Sequence, residues 1–156
     1  MRVSGRLLAR VFEMLDGLSL AGMSTLAVND LVERFITHDL AARPASKGQY
    51  GFAYVLNSSM NQVVCHGVPS ADDVIRDGGI VNLDITLEKN GFIADSSKTY
   101  MVGEVSPAAR KIVRVAQAAM WKGIAQVRPG ARLGDIGAAI ERHAKAHGFV
   151  GGFGCV

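Results

Sequence analysis

Two cysteines, Cys65 and Cys155, are all that the 156 residues contain. One such pair makes neither a disulfide framework nor a cysteine metal cluster. A reducing, cytoplasmic setting is therefore the expectation. Charge of one sign never accumulates. Lys and Arg are scattered, the net charge is only +3, and no run of five or six like charges occurs. No nucleic-acid site and no membrane-surface patch is expected from such a pattern. No uncharged stretch approaches the ~18 residues that span a bilayer. Arg2, Arg6, Arg10, Glu13 and Asp16 deny the N-terminal stretch the apolar centre of a secretory leader. What remains is an ordinary globular composition, 49% apolar and 20% charged, long enough for one domain with a real core.

The stretch that organises the chain is Ile80 to Val102. Two runs rich in β-formers flank Asn90-Gly91, a dipeptide that tolerates the positive φ angles of a tight hairpin turn. The expected strands are 80–89 and 92–102. Counting outward from the turn sets Lys89 against Phe92, Thr86 against Asp95 and Asp84 against Ser97. Residues two apart share a face, so Asp84, Thr86, Asp95 and Ser97 belong together, with Asp84 and Asp95 as diagonal neighbours roughly 7–8 Å apart at Cα. Two carboxylates on one face repel and cost energy if buried unpaired. The face is wet, or a basic side chain lies between them, or a cation binds there. Lys89 and Lys98 have the wrong parity to serve. A carboxylate pair bridging two divalent ions would suit metal-assisted hydrolysis.

Around the hairpin the expected elements are mostly helical. Val3, Leu7, Leu8, Val11, Phe12 and Leu15 recur at helical spacing over 3–18, with Ser4 as a candidate N-cap. Ser24 or Thr25 can cap a second helix whose stripe is Val28, Leu31, Val32, Phe35 and Ile36. His38 near its C-terminus reads as structural, favoured there by the helix dipole. A loop follows over 41–51, then two short strand-like runs, Phe52–Asn57 and Gln62–His66. After the hairpin, Ser106-Pro107 opens a helix running to about Val127. Ile112, Val115, Ala116, Ala119 and Met120 mark its expected buried side. A last helix, about 133–147, carries Ile136, Ile140 and Ala144, with Gly148 beyond its end.

A weak repeat at an offset of 108 residues pairs Gly22 with Gly130, Val28 with Ile136, and Val32-Glu33-Arg34 with Ile140-Glu141-Arg142. It implies two similar halves, each helix, Gly break, helix.

Among the histidines, His66 closes a strand-like run. Such a residue is structural or solvated, or it leans over the Asp84/Asp95 face as proton donor or oxyanion stabiliser. His143 and His147 share a helix face at a spacing that could hold a metal. Ala144, however, stands where zincins place Glu, and Glu141, Arg142 and Lys145 read as a solvated face. Gly151-Gly152-x-Gly154 lacks the strand-to-helix setting of a phosphate loop.

Taken together, Val63-Val64-Cys65-His66-Gly67-Val68-Pro69, Asp77-Gly78, Val81-Asn82-Leu83-Asp84-Ile85-Thr86 and Gly91-Phe92-x-x-Asp95-Ser96-Ser97-Lys98 resemble type I methionine aminopeptidases. Met1-Arg2-Val3-Ser4-Gly5-Arg6, Pro129-Gly130 and Asp135-Ile136-Gly137 extend the likeness from Met1 to about Val150. The resemblance implies an α+β pita-bread fold: an antiparallel sheet with helices on one face, in two pseudo-symmetric halves around a dinuclear metal site. The expected division is a first half over 1–104, the helices of a second half over 105–150, and an atypical tail over 151–156.

By the same resemblance Asp84 binds one metal and Asp95 bridges both, Thr86 orients a carboxylate, and His66 contacts the scissile peptide. The cofactors would be two divalent ions (Co, Mn, Fe or Zn), and the nucleophile a metal-activated water. Family members supply one more His and two Glu from beyond the position of Val150, so two carboxylates alone imply weak or partial occupancy. The substrate-pocket positions fall on Gln49, Tyr50, Phe52 and Asn57. Here Gln49 and Tyr50 replace the usual Tyr and His, Ala53 a Pro, and Ser46 and Asn57 frequent cysteines. The implied activity is removal of N-terminal methionine from nascent chains, with the ribosome a further partner. A homodimer covering an exposed sheet face is also expected. An inactive remnant and a binding module are the competing readings.

Overall fold

The computed structural model describes residues 1–150; the tail 151–156, with Cys155 and the Gly151-Gly152-x-Gly154 pattern, lies outside the described residues. The chain divides into two units, Met1–Val105 and Ser106–Val156.

In the first unit a four-stranded antiparallel sheet is built on the expected hairpin. Strand β3 (Ile80–Lys89) pairs with β4 (Phe92–Met101) in the register counted from Asn90-Gly91: Lys89 opposite Phe92, Thr86 opposite Asp95, Asp84 opposite Ser97. Both turn residues take positive φ, 55° at Asn90 and 79° at Gly91, as a two-residue hairpin requires. The other edge of β3 is shared. Strand β2 (Leu56–Met60) occupies Val81–Ile85, and the two-residue β1 (Arg43–Pro44) occupies Leu87–Glu88. β1 falls within the expected loop; a proline hides a strand from sequence reading, yet it is tolerated at a sheet edge.

Period-two alternation along β3 sends Val81, Leu83, Ile85 and Leu87 to the buried face. Helices α1 (Arg2–Asp16) and α2 (Thr25–Arg34) supply Leu8, Val11, Leu15, Val28 and Val32 to the same core, which Val55 and Leu56 complete. Fully burying an aliphatic side chain of this size is worth about 1.5–3 kcal/mol. Ser24 caps α2, accepting from Ala27 N at 3.1 Å. Ser4 is not a cap. It lies inside α1, wholly buried, and its hydroxyl donates to Phe92 O at 2.7 Å, tying the helix to the start of β4. Lys98, on the helix side of β4 as its parity required, reaches Asp16 at 2.5 Å. That ammonium holds the Asp16 carboxyl below its ordinary value. His38 is exposed, on a π-turn (Phe35–Asp39) that ends α2.

Gln62–His66 is not a strand. The chain turns at Asn61 (φ 50°) and runs exposed to His66, bonding β2 at Gly67, just past the run. Val63-Val64 gave the run its apolar look, but Val64 is 76% exposed.

One packing defect stands out. Ser58, opposite Leu83 on the core side of β2, buries a hydroxyl that has no hydrogen-bond partner among the described residues. A buried, unsatisfied hydroxyl costs about 1–3 kcal/mol. Ser58→Ala is therefore expected to stabilise the protein by about 1 kcal/mol, read as a higher urea midpoint at unchanged slope. An unchanged or lower midpoint would show that the hydroxyl is satisfied.

The second unit is a helical hairpin, α3 (Pro107–Ile124) packed on α4 (Leu133–Ala146). Ser106 caps α3, accepting from Ala109 N at 3.1 Å. The helices meet closely at Gly123, where an added Cβ would lie 2.9 Å from Ile140 Cδ1. The buried row is Val115, Ala119 and Gly123. Ile112, Ala116 and Met120, expected inside, are exposed. The apolar face of α3 is two rows wide, and α4 covers only one of them. The repeat matches the observed elements: α2 begins at Thr25 and α4 at Leu133, and Gly22 and Gly130 share a φ of 84°.

Candidate metal centre

On the face of β3 away from the core stand Asn82, Asp84, Thr86 and Glu88, and across from them on β4 Asp95, Ser97 and Thr99. The middle of this face is polar, with exposed Ile93 and Met101 towards its two ends; further exposed apolar side chains stand on α3, at Ile112, Met120, Trp121 and Ile124.

Asp84 and Asp95 share this polar face and interact directly. Partial burial raises the Asp84 carboxyl above its ordinary value, and the charge of Asp95 and a hydrogen bond with it raise it further. Asn57, directly opposite Asp84 on β2, hydrogen-bonds the carboxylate, and nearby His66 favours its charge; both act the other way. Thr86 donates to Asp95 Oδ1 at 3.0 Å, which fixes that carboxylate's orientation. Among the described residues no lysine or arginine is a main influence on Asp84: Lys98 is held by Asp16 and Lys89 by backbone carbonyls of the loop before β1.

Two close carboxylates, one with a disfavoured charge, form an oxygen donor set suited to a divalent cation. They do not make a finished centre. Among the described residues no group of three or more His, Cys, Asp or Glu could hold a metal ion. The residues present fit part of a carboxylate-bridged metal site.

Asp84's raised folded value fixes the sign of a pH effect. The metal-free folded state binds this proton more tightly than the unfolded chain does. Stability is therefore lost as pH rises from the ordinary carboxylate value through the raised one. Asp84→Asn is expected to stabilise the metal-free protein at pH 7 by no more than about 1 kcal/mol, because the site is partly solvated. The difference should vanish in melts taken well below the ordinary carboxylate range. A variant less stable than its parent at pH 7 would contradict this sign.

His66 is exposed and held at φ 54°, in the left-handed region that a residue with a Cβ adopts only at a cost. The next residue explains how it is held. Gly67 O accepts from Ser58 N at 2.8 Å, and Gly67 N donates to Ser59 Oγ at 3.1 Å. The loop is thus pinned on β2, beside the strand that carries Asn57.

Of the pocket candidates, Asn57 is drawn to the carboxylates. Gln49 and Tyr50 form a separate exposed turn: Gln49 donates its amide to Ala45 O at 2.7 Å, and Tyr50 points fully into solvent. Phe52 packs edge-on against Tyr54 at 5.7 Å. Two supporting residues escaped sequence reading. Asn82 donates to Thr99 Oγ1 at 3.0 Å on the same polar face, and its parity with Asp84 was signal enough to find it. Buried Asn29 accepts from Val55 N at 2.9 Å, just before β2 begins. Only its polarity within an apolar helix stripe hinted at a role. A cavity of about 440 Å³ opens elsewhere, between Met60-Asn61 and the 72–80 segment; it contains none of the carboxylate pair, His66 or Asn57.

The chain belongs to metallopeptidase family M24, whose model matches residues 1–155. It is similar to methionine aminopeptidase B of Synechocystis, 42% identical over 96% of this chain and 56% of that protein. Among solved structures, methionine aminopeptidase from Rickettsia prowazekii superposes with a TM-score of 0.89 at 40% identity, covering 94% of this chain and 58% of the other. The Thermotoga maritima enzyme gives 0.91 at 31%, covering 96% and 60%. The resemblance read from the motifs, and the pita-bread α+β class, are borne out. The chain spans somewhat more than half the length of these relatives. No helix among the described residues is long and apolar enough to cross a membrane.

Proposed function

We propose that this chain carries the carboxylate part of the active site of a metal-dependent aminopeptidase that removes methionine from the N-termini of nascent proteins. The observation that carries the reading is the direct Asp84–Asp95 interaction on an open polar face, with Lys98 and Lys89 both engaged elsewhere. Likeness to methionine aminopeptidases along almost the whole chain supports it.

In this reading Asp84 and Asp95 hold divalent metal. When bound, the metal polarises the scissile carbonyl and supplies the water nucleophile. Thr86 keeps Asp95 in one orientation through its 3.0 Å hydrogen bond. Asn57 does the same for Asp84. His66, exposed on its left-handed turn, donates a hydrogen bond to the peptide group and steadies negative charge as it develops on the carbonyl oxygen. The cleavage consumes one water and yields methionine and a peptide with a new free amine. Substrates are N-terminal Met peptides emerging from a ribosome, in the cytoplasm.

The test is metal binding. Carboxylate oxygens with water in the remaining positions suit Mn²⁺ or Mg²⁺ better than tight zinc. Titration followed by Mn²⁺ EPR should show weak binding that is lost in an Asp84→Asn, Asp95→Asn double variant. Binding that is indifferent to both substitutions would remove the basis of the proposal.

A further inference from the structure

Helix α4 carries His143 in its last turn and His147 at its C-cap, and neither takes part in the carboxylate site. His143 and His147 are four residues apart, so their side chains sit one above the other on the helix face. Their rings lie with centroids 4.3 Å apart and planes inclined by 50°. Sequence alone reads this face as solvated; a hydrogen bond in the structure adds what sequence could not. His147 Nδ1 lies 2.9 Å from the His143 carbonyl oxygen. A carbonyl oxygen can only accept, so Nδ1 carries a proton, and in the neutral ring the lone pair is then on Nε2. Metal-ligating histidines are held in this way, with one ring nitrogen donating to a carbonyl and the other facing the ion.

The spacing of the rings agrees. With metal–nitrogen bonds of about 2.0–2.1 Å, two imidazoles bound side by side to one ion place their centroids roughly 4.5–5 Å apart. The observed spacing needs only a small side-chain rotation to reach that. Partial burial, His147 and Lys122 of α3 hold His143 below the usual histidine value. Glu141 on the same helix is paired with Lys145 at 2.5 Å. The donor set is two imidazole nitrogens completed by water. Such a set suits borderline ions, unlike the oxygen donors of the sheet.

We propose that His143 and His147 form a two-histidine site for a divalent transition ion, Cu²⁺ ahead of Ni²⁺ and Zn²⁺, on the exposed side of α4. An ion there bridges the last turn of the helix and stabilises the folded form by mass action.

The experiment is a Cu²⁺ titration of the 156-residue protein followed by EPR. The first equivalent should show nitrogen hyperfine structure from two imidazoles. His143→Gln and His147→Gln should each weaken binding roughly tenfold or more, because the chelate is lost, and each should abolish the two-nitrogen pattern. The Asp84→Asn, Asp95→Asn double variant and His66→Ala should leave both readouts unchanged. Circular dichroism of the Gln variants verifies that α4 remains folded. A two-nitrogen signal that survives His147→Gln, or that disappears in His66→Ala, overturns the proposal.

Discussion

Methionine should not be released from a Met-Gly-type peptide by the 156-residue polypeptide on its own, even with Mn²⁺ or Co²⁺ supplied. The expected rate is the uncatalysed background. Asp84 and Asp95 are two ligands, and no group of three or more metal-binding side chains forms among the described residues. Two carboxylates do not fill the coordination of two ions. The polar sheet face is also open, with Asp95 and His66 both exposed. An open face neither excludes water nor fixes a substrate in a reactive pose, and that positioning accounts for about 7–11 kcal/mol of a typical barrier reduction. The informative control is the Asp84→Asn, Asp95→Asn double variant in the same assay. If the parent turns over and the double variant does not, the chain completes its centre in some other way. A second copy of the chain and the histidine pair on α4 are then the first places to look.

The second large effect concerns Gly67. A Cβ built there would fall 2.1 Å from Ser58 O, 2.7 Å from Ser58 C and 3.0 Å from Ser59 Cα. All three are backbone atoms of β2, and β2 is bonded along its length to β3. No flexible side chain can swing aside, so the 62–68 loop or the strand must move. Gly67→Ala should cost roughly 2–4 kcal/mol, in the range of severe overpacking. It should also displace His66, whose left-handed backbone depends on the same contact. A complete enzyme carrying it should lose rate as well as stability. Gly137 is the comparison: it lies in α4 with nothing within 4 Å of its built Cβ. Gly137→Ala should stabilise by up to about 1 kcal/mol. Equal, small effects from both substitutions would show that the Gly67 contact relaxes freely.

The exposed row on α3 shows how far local pattern carries. Ile112, Ala116 and Met120 have helical spacing and apolar character, and both were read correctly. Their burial was not, because spacing says which residues share a face but not how much of that face a partner covers. Gln62–His66 failed for a related reason. A short apolar run becomes a strand only if its backbone bonds an edge in series, and here the bonds to β2 come at Gly67, just past the run, while 62–66 lies exposed.

What the sequence by itself determined is the hairpin and what stands on it. Asn90-Gly91 sets the turn, the turn sets the register, and period two puts Asp84, Thr86, Asp95 and Ser97 on one face and sends Lys98 to the other. Each step is local, resting on backbone sterics and alternation rather than on distant contacts. The tertiary structure alone decided what surrounds the carboxylates. Asn57 meets Asp84 because β2 pairs with β3. His66 comes near because Gly67 is clamped on Ser58 and Ser59. Ser4 leaves its expected cap to bind Phe92 O, 88 residues away. These placements depend on which segments compete for the same edge and the same core, and such competition is settled only when the whole chain has folded.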